Sequence, residues 1–239
     1  PSQTDYFQAT RGGGNGDYRL VVLAPANVQE LVDLIIEGFD IADQYRNPVM
    51  ILGDGMIGQM MEPVEFKKPK QRELPEKTWA TTGTKGERNP NIINSLYLAA
   101  EELEQHNIKL QAKYKEIREK EVKVESYNIE DADVVIAAYG TTSRIARTAI
   151  SQLEKEGYKV GLIRPITLWP YPYDEFKKIK ENCKGILTVE MNTGQMIDDV
   201  KIAVEGKYPV YFHGRTGGMV PTPNEIIEKV KAIYDGGEL

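Results

Sequence analysis

Residues 131–164 read DADVVIAAYGTTSRIARTAISQLEKEGYKVGLIR, and the fold follows from how this stretch changes its period. The run 133–139 is short, almost wholly apolar and closed by Gly140, the pattern of a strand covered on both faces. Residues 143–156 then place apolar side chains at helical spacing, and 159–164 is a second short apolar run. The pattern repeats downstream: strands are expected at 185–190 and 209–213, with helices at 173–182, 195–204 and 224–234. Strict alternation of short apolar strands with amphipathic helices predicts a mostly parallel α/β sandwich from about residue 131 to 239.

Working back toward the start, 19–24 (RLVVLA) is another compact apolar run, bounded by a Gly/Asn/Asp cluster and Pro25. Asn27 can cap a helix carrying Val28, Leu31, Leu34, Ile35 and Phe39, which ends at Tyr45-Arg46-Asn47 before a second buried strand at 48–52. Two such strands joined by a helix form a right-handed βαβ unit. From 62 to 94 the periodicity is lost among Pro, Lys, Thr and Gly, which marks a linker. Asn94 or Ser95 is expected to open a long helix whose narrow stripe, Leu96, Ala100, Leu103, Leu110, Tyr114 and Ile117, suits a strut or a subunit contact. The expected organisation is an α/β domain over 1–65, a linker and helix over 66–130 and a second α/β domain over 131–239.

Composition excludes several classes of function. Net charge is -6 with Lys and Glu interleaved, which disfavours a nucleic-acid partner, and no apolar run approaches a membrane span. One cysteine, Cys183, and the histidines His106 and His213 supply neither a disulfide nor the ligands of a zinc site or iron-sulfur cluster. The opening Pro-Ser-Gln-Thr-Asp has no initiator Met and no signal-peptide profile, which reads as a cytoplasmic chain entered in mid-domain.

The motifs are individually weak. Residues 53–58, GDGMIG, match a dinucleotide fingerprint, but Pro63 arrives too soon for a crossover helix, so a tight turn is expected. The loop 11–17, RGGGNGD, offers an anion nest or a plain surface turn. In the second domain each strand ends in polar residues: Thr141 and Ser143, then Arg164, then Glu190, Asn192 and Gln195, then Arg215. Parallel sheets bind ligands at that edge. The same residues serve equally as helix caps and interface contacts, with Glu190 and Arg215 a candidate ion pair. His213 is expected to be packed, Trp79 and Trp169 to be packing anchors, and the aromatic-proline loop 168–173 to suit a subunit contact.

Taken in order, SQTD before LVVLAPANVQE, YRNPV before LGDG, and then RPITLWPYP, VEMNTGQM and HGRTGGMVPTP resemble the α subunit of the 2-oxoacid:ferredoxin oxidoreductases, particularly the 2-oxoisovalerate and 2-oxoglutarate types. The resemblance spans nearly the whole chain. It implies the end of a thiamine-diphosphate pyrimidine-binding domain followed by a transketolase C-terminal-like domain, acting in oxidative decarboxylation of a 2-oxoacid with coenzyme A to acyl-CoA, carbon dioxide and reduced ferredoxin. The family's Y-P-I-T-P stretch, catalytic Glu and R-x-G-P-S-T-G motif would lie upstream of Pro1, so no catalytic residue is assigned here. Gln3, Thr4, Asp5, Asp54 and Gly55 would sit near the thiamine site, and Mg-bound thiamine diphosphate would be shared with a pyrophosphate-binding β subunit. The iron-sulfur clusters would belong to partner subunits of the β and γ/δ kinds. A transketolase-like transferase component and a non-catalytic assembly module are the rival readings.

Overall fold

The computed structural model describes residues 2–12, 15–67 and 72–237. The elements run α1 (Tyr6–Thr10), β1 (Val21–Leu23), α2 (Val28–Tyr45), β2 (Val49–Ile51), a 3-10 turn (Ile57–Gln59), α3 (Ala100–Lys120), β3 (Val124–Tyr127), β4 (Val134–Ala137) and α4 (Gly140–Lys155). They continue through β5 (Val160–Pro165), β6 (Thr167–Trp169), a second 3-10 segment (Tyr173–Lys178), β7 (Gly185–Glu190), α5 (Met196–Val204), β8 (Val210–Gly214) and α6 (Pro223–Tyr234). One sheet has the order β3-β5-β4-β7-β8, in which β4 is parallel to β5 and β7, β7 is parallel to β8, and the edge strand β3 is antiparallel to β5. A smaller sheet has the order β2-β1-β6.

The continuous apolar runs have a direct cause. In β4, Val134 and Ile136 join Leu162 and Leu187 under α4 and α6, whereas Val135 and Ala137 face Ile163, Ile186, β1 and α5 on the other side. Both faces are covered, so alternation with polar residues would place polar groups in a core. Helix α2 starts where expected because the Asn27 side chain accepts from Glu30 N at 2.8 Å. Thr222 and Glu225 form a reciprocal capping box at the start of α6.

Two short strands escaped the sequence reading. Strand β6 lies within the aromatic-proline stretch yet pairs antiparallel with β1, Leu23 opposite Thr167. Through this pairing the first segment and the larger sheet share one apolar cluster. That also corrects the expected role of loop 168–173: Leu168, Trp169 and Tyr171 are buried inside this chain, Trp169 edge-on to Tyr114, and are not a surface for another subunit. Trp79, by contrast, is not a core anchor; it is 37% exposed and stacked under the Arg46 guanidinium at 4.2 Å.

Helix α3 begins at Ala100, later than expected, because Asn94 closes on Leu96, accepting from its N–H and donating to its carbonyl. Leu96 therefore lies outside the helix and is exposed, and of the stripe only Tyr114 and Ile117 are buried. The helix expected at 173–182 is instead the 3-10 segment, which turns every three residues and so buries Phe176 and then Ile179 just beyond it. The nest expected at 11–17 falls partly on Gly13 and Gly14, outside the described residues. Residues 53–58 form a turn rather than a crossover helix, as the early Pro63 implied.

Candidate functional site

The carboxyl edge of the larger sheet is where the first residues of the chain are stapled to the second half. Gln3 is buried and fully engaged. Its Nε2 donates to the Tyr139 carbonyl at 3.0 Å, its Oε1 accepts from Met191 N at 3.0 Å and its own N–H donates to the Met191 carbonyl. Asn192, buried at the end of β7, donates from Nδ2 both to the Gln3 carbonyl and to Glu190, while its Oδ1 accepts from Gly194 N. Gln195 clamps the same segment, donating to the Thr4 carbonyl and accepting from Phe7 N.

Glu190 occupies the start of α5. Its carboxylate accepts from the backbone N–H groups of Gln195, Met196 and Ile197, at 2.8 Å for Met196, so the chain supplies its own anion to this helix end. Burial raises its pKa above the ordinary carboxyl value, and these hydrogen bonds only partly offset that. The Glu190 and Arg215 ion pair expected from sequence does not form: a fully buried carboxylate already met by amides leaves no room for a guanidinium, and Arg215 pairs with Glu225. Arg215 instead reaches the Glu190 backbone carbonyl through its own N–H at 3.2 Å. His213 is packed as expected, with burial lowering its pKa and Glu225 Oε2 at 3.6 Å from Nε2.

Asp54 bridges the two halves. Its Oδ1 accepts from Met56 N and Ile57 N, and its Oδ2 accepts from Thr141 N in the first turn of α4. Gly140, at φ 55°, permits this approach: a Cβ there would lie 3.2 Å from Gln3 Nε2 and 3.3 Å from Asp54 Oδ2. Gln3, Asp5, Asp54, Tyr139 and Gly140 thus line one small crevice, which joins three of the residues expected near a cofactor. Thr4 and Gly55 are exposed outside it. Ser143 is a local helix contact, donating to the Gly140 carbonyl at 2.6 Å, while the buried Thr141 hydroxyl has no hydrogen-bond partner.

Arg164 is buried away from this crevice. It makes a two-pronged pair with Glu30 at 2.8 and 2.9 Å and a further bond from Nε to Glu125 at 2.6 Å, tying β5 to the start of α2 and to β3. Sequence reasoning missed Asp199, wholly buried in α5, which accepts from Tyr6 at 2.6 Å, Tyr173 at 2.7 Å and Arg11 at 3.1 Å. The available signal was an acid on the apolar face shared by Met196, Val200 and Ala203.

The crevice does not fit a whole thiamine diphosphate. Its charged side chains are the carboxylates of Asp5 and Asp54, which repel a diphosphate. Among the described residues no group of three or more His, Cys, Asp or Glu is arranged to hold a metal ion. No helix of the described residues is long and apolar enough to cross a membrane.

Comparison with known proteins agrees with this architecture. Residues 1–131 match the family model of the pyruvate flavodoxin/ferredoxin oxidoreductase thiamine diphosphate-binding domain, and residues 132–226 match pyruvate:ferredoxin oxidoreductase core domain II. A ketoisovalerate oxidoreductase subunit of Methanothermobacter marburgensis is 42% identical over 98% of this chain, which spans 66% of that protein's length. A 2-oxoglutarate synthase subunit of the same organism is 32% identical over 97% of this chain and 68% of its own. The fold also matches a solved structure of 2-oxoglutarate:ferredoxin oxidoreductase from Magnetococcus marinus with 2-oxoglutarate, coenzyme A and succinyl-CoA bound. That match has a TM-score of 0.75 at 23% identity and covers 97% of this chain and 45% of that one. With both halves matched in order, the chain belongs to the α-subunit family of the 2-oxoacid:ferredoxin oxidoreductases.

Proposed function

We propose that this chain serves in the oxidative decarboxylation of a branched-chain 2-oxoacid with coenzyme A, giving acyl-CoA, carbon dioxide and reduced ferredoxin. The observation that carries this reading is the 42% identity over 98% of this chain to the ketoisovalerate oxidoreductase subunit, which exceeds the 32% to the 2-oxoglutarate synthase subunit. In this reading residues 1–65 are the end of the pyrimidine-binding domain, 66–130 the connecting segment and 131–239 the transketolase C-terminal-like domain. The staple at Gln3, Asn192 and Gln195 and the bridge at Asp54 fix the segment that borders the thiamine site, and Thr4, Asp5 and Gly55 lie at its rim.

The chain's own residues exclude water from the seam and hold the two halves in register. When bound, the thiamine coenzyme supplies the nucleophilic carbon and the electron sink. Its diphosphate would be held by a β subunit, because the carboxylates of Asp5 and Asp54 on this side repel it, and Mg would accompany the diphosphate there. Iron-sulfur clusters reside on partner subunits of the β and γ/δ kinds, which pass electrons to ferredoxin in the cytoplasm. Thr141, Ser143, Arg164, Glu190 and Arg215 act as structural supports of the sheet edge in this reading, not as contacts to coenzyme A.

The test is reduction of ferredoxin by the assembled complex carrying this subunit. Rates with 2-oxoisovalerate, 2-oxoglutarate and pyruvate are compared, each with and without coenzyme A. The branched-chain acid is expected to give the highest kcat/KM. A preference for 2-oxoglutarate would overturn the substrate assignment, and turnover of ketose phosphates without ferredoxin would replace the oxidoreductase by a transferase.

A further inference from the structure

A second cavity, sharing no residue with the crevice at Asp54, opens between the end of α2, the linker and α3, with a volume of about 730 Å3. Ligand sites of small molecules run from about 300 to 1,000 Å3, so its size suits a nucleotide-sized occupant. Its wall carries Arg46, Lys109, Lys113 and His106 and no Asp or Glu. In a chain of net charge -6 this is a local reversal of sign. Among the described residues, no carboxylate lies within ion-pairing distance of Arg46, Lys109 or Lys113. Lys113 donates instead to the Arg46 carbonyl at 3.2 Å, and the Arg46 guanidinium lies over Trp79. Burial, reinforced by the positive charge of Arg46, lowers the Lys113 pKa, the response of a cation held beside another without a counter-ion. Lys109 and Lys113 are one helical turn apart, so both ammonium groups project from one face of α3.

The rest of the lining sets ring and aliphatic surface beside the polar side chains of Asn91, Asn94 and Ser95. Tyr97 stacks on His106 with ring centres 4.7 Å apart and bonds to its Nδ1 at 3.2 Å, and Ile92 and Ile93 leave much of their surface to solvent. Glu101 and Glu102 border a neighbouring depression that shares Tyr97, His106 and Lys109 with this cavity, but do not line the cavity itself. The lining therefore asks for several negative charges together with a planar body that can stack and hydrogen-bond.

We propose that this cavity is a binding site for a phosphorylated adenine nucleotide, with its phosphates among Arg46, Lys109 and Lys113 and its base against Tyr97 and the exposed isoleucines. The same chemistry is carried by a free nucleotide and by the nucleotide end of coenzyme A. The site stands whether or not the oxidoreductase reading does.

The experiment titrates the full chain with ATP, coenzyme A, adenosine and tripolyphosphate. It is followed by calorimetry and by tryptophan fluorescence, in which Trp79 borders the cavity and Trp169 is buried. ATP, coenzyme A or both are expected to bind with Kd under about 1 mM, with adenosine and tripolyphosphate each about tenfold weaker. Tighter binding of coenzyme A than ATP identifies the coenzyme as the source, and equal binding identifies the free nucleotide. The Lys109→Glu/Lys113→Gln double variant should lose about tenfold in affinity while its circular dichroism and melting profile stay unchanged, and Tyr97→Ala should weaken the nucleotides but not tripolyphosphate. Absence of heat with both nucleotides at about 5 mM, undiminished binding by the double variant, or tripolyphosphate binding as tightly as ATP would each overturn the proposal.

Discussion

The seam at the sheet edge and the linker with α3 solve the burial of charge in opposite ways. At the seam, Glu190 is sealed from water and met only by backbone amides and the Asn192 amide, so its pKa rises. Beside α3, Glu121 is also buried, and burial alone would raise its pKa. Arg72 at 2.8 Å on each oxygen and the Tyr45 hydroxyl outweigh that and hold it below the ordinary range. One region is organised by neutral donors on fixed backbone and the other by long charged side chains that reach across a linker. The first kind tolerates no displacement, and the second accommodates it.

Arg164→Ala should give the largest effect. Its removal leaves Glu30, which also accepts from Ala26 N at 2.6 Å, without its cation at the join between α2 and the sheet, and leaves Glu125 with Arg147 alone. Breaking a buried pair by deleting one partner costs about 3 kcal/mol or more, whereas the exposed pair Lys115 with Glu119 on α3 should cost nothing measurable. Urea unfolding of the two variants checks the contrast. Arg164→Lys should recover little, because an ammonium cannot make the two-pronged bond.

Glu190→Gln comes next, at about 2 kcal/mol, since an amide NH2 is forced against the N–H groups that begin α5. The pH dependence sharpens the test. An acid whose pKa is raised by folding binds more protons in the native state between its unfolded and folded values, so its contribution is fully present below about pH 4.3 and is lost as pH rises through the folded value. Glu121 has the reverse sign: its contribution is present above the ordinary carboxyl value and is lost as pH falls through its lowered one. Relative to wild type, Glu190→Gln should therefore remove a decline of stability with rising pH, and Glu121→Gln should remove a decline with falling pH. Identical profiles for the two variants would break the comparison.

These contrasts also explain what the sequence disclosed. The strands of the larger sheet announced themselves because both faces are buried, and α2 and α6 did so through Asn27 and Thr222. The edge strand β3 did not, because Glu125, Ser126 and Tyr127 carry polar groups outward, and β6 did not, because Pro165 and Pro170 flank a strand of three residues. Asp54, Glu190 and Asn192 were recognisable as polar residues following strands, and Gln3 only through the family resemblance. That Asn192 bonds to Gln3 across 189 positions and Asp54 to Thr141 across 87 was not, since local pattern carries no record of which distant backbone group a side chain meets. Asp199 went unread for the same reason: its three side-chain partners lie on α1, just beyond it and on the second 3-10 segment.

Gly140→Ala should cost about 1 to 2 kcal/mol, part from the left-handed backbone and part from displacing Gln3 and Asp54. Gly83, also left-handed at φ 87° but with open space around it in the linker, should lose only the backbone part. Thermal melts of the pair separate strain from the loss of the crevice.

The smallest effect should come from Ala99→Asp at the start of α3, where Ala99 provides no side-chain cap. A capping carboxylate is worth about 0.5 to 1 kcal/mol to a helix end. Glu101 and Glu102 already favour the positive end of the helix dipole and will repel a third acid, which keeps the gain at the lower limit. The first three turns expose Leu103 and Ile108 and bury little before Tyr114, so they can open without unfolding the rest. The gain should therefore appear as slower amide exchange over residues 102–108, with the global unfolding midpoint unchanged. A shift of that midpoint would mean that the start of α3 is coupled to the core as tightly as the seam is, and the two regions would no longer differ in kind.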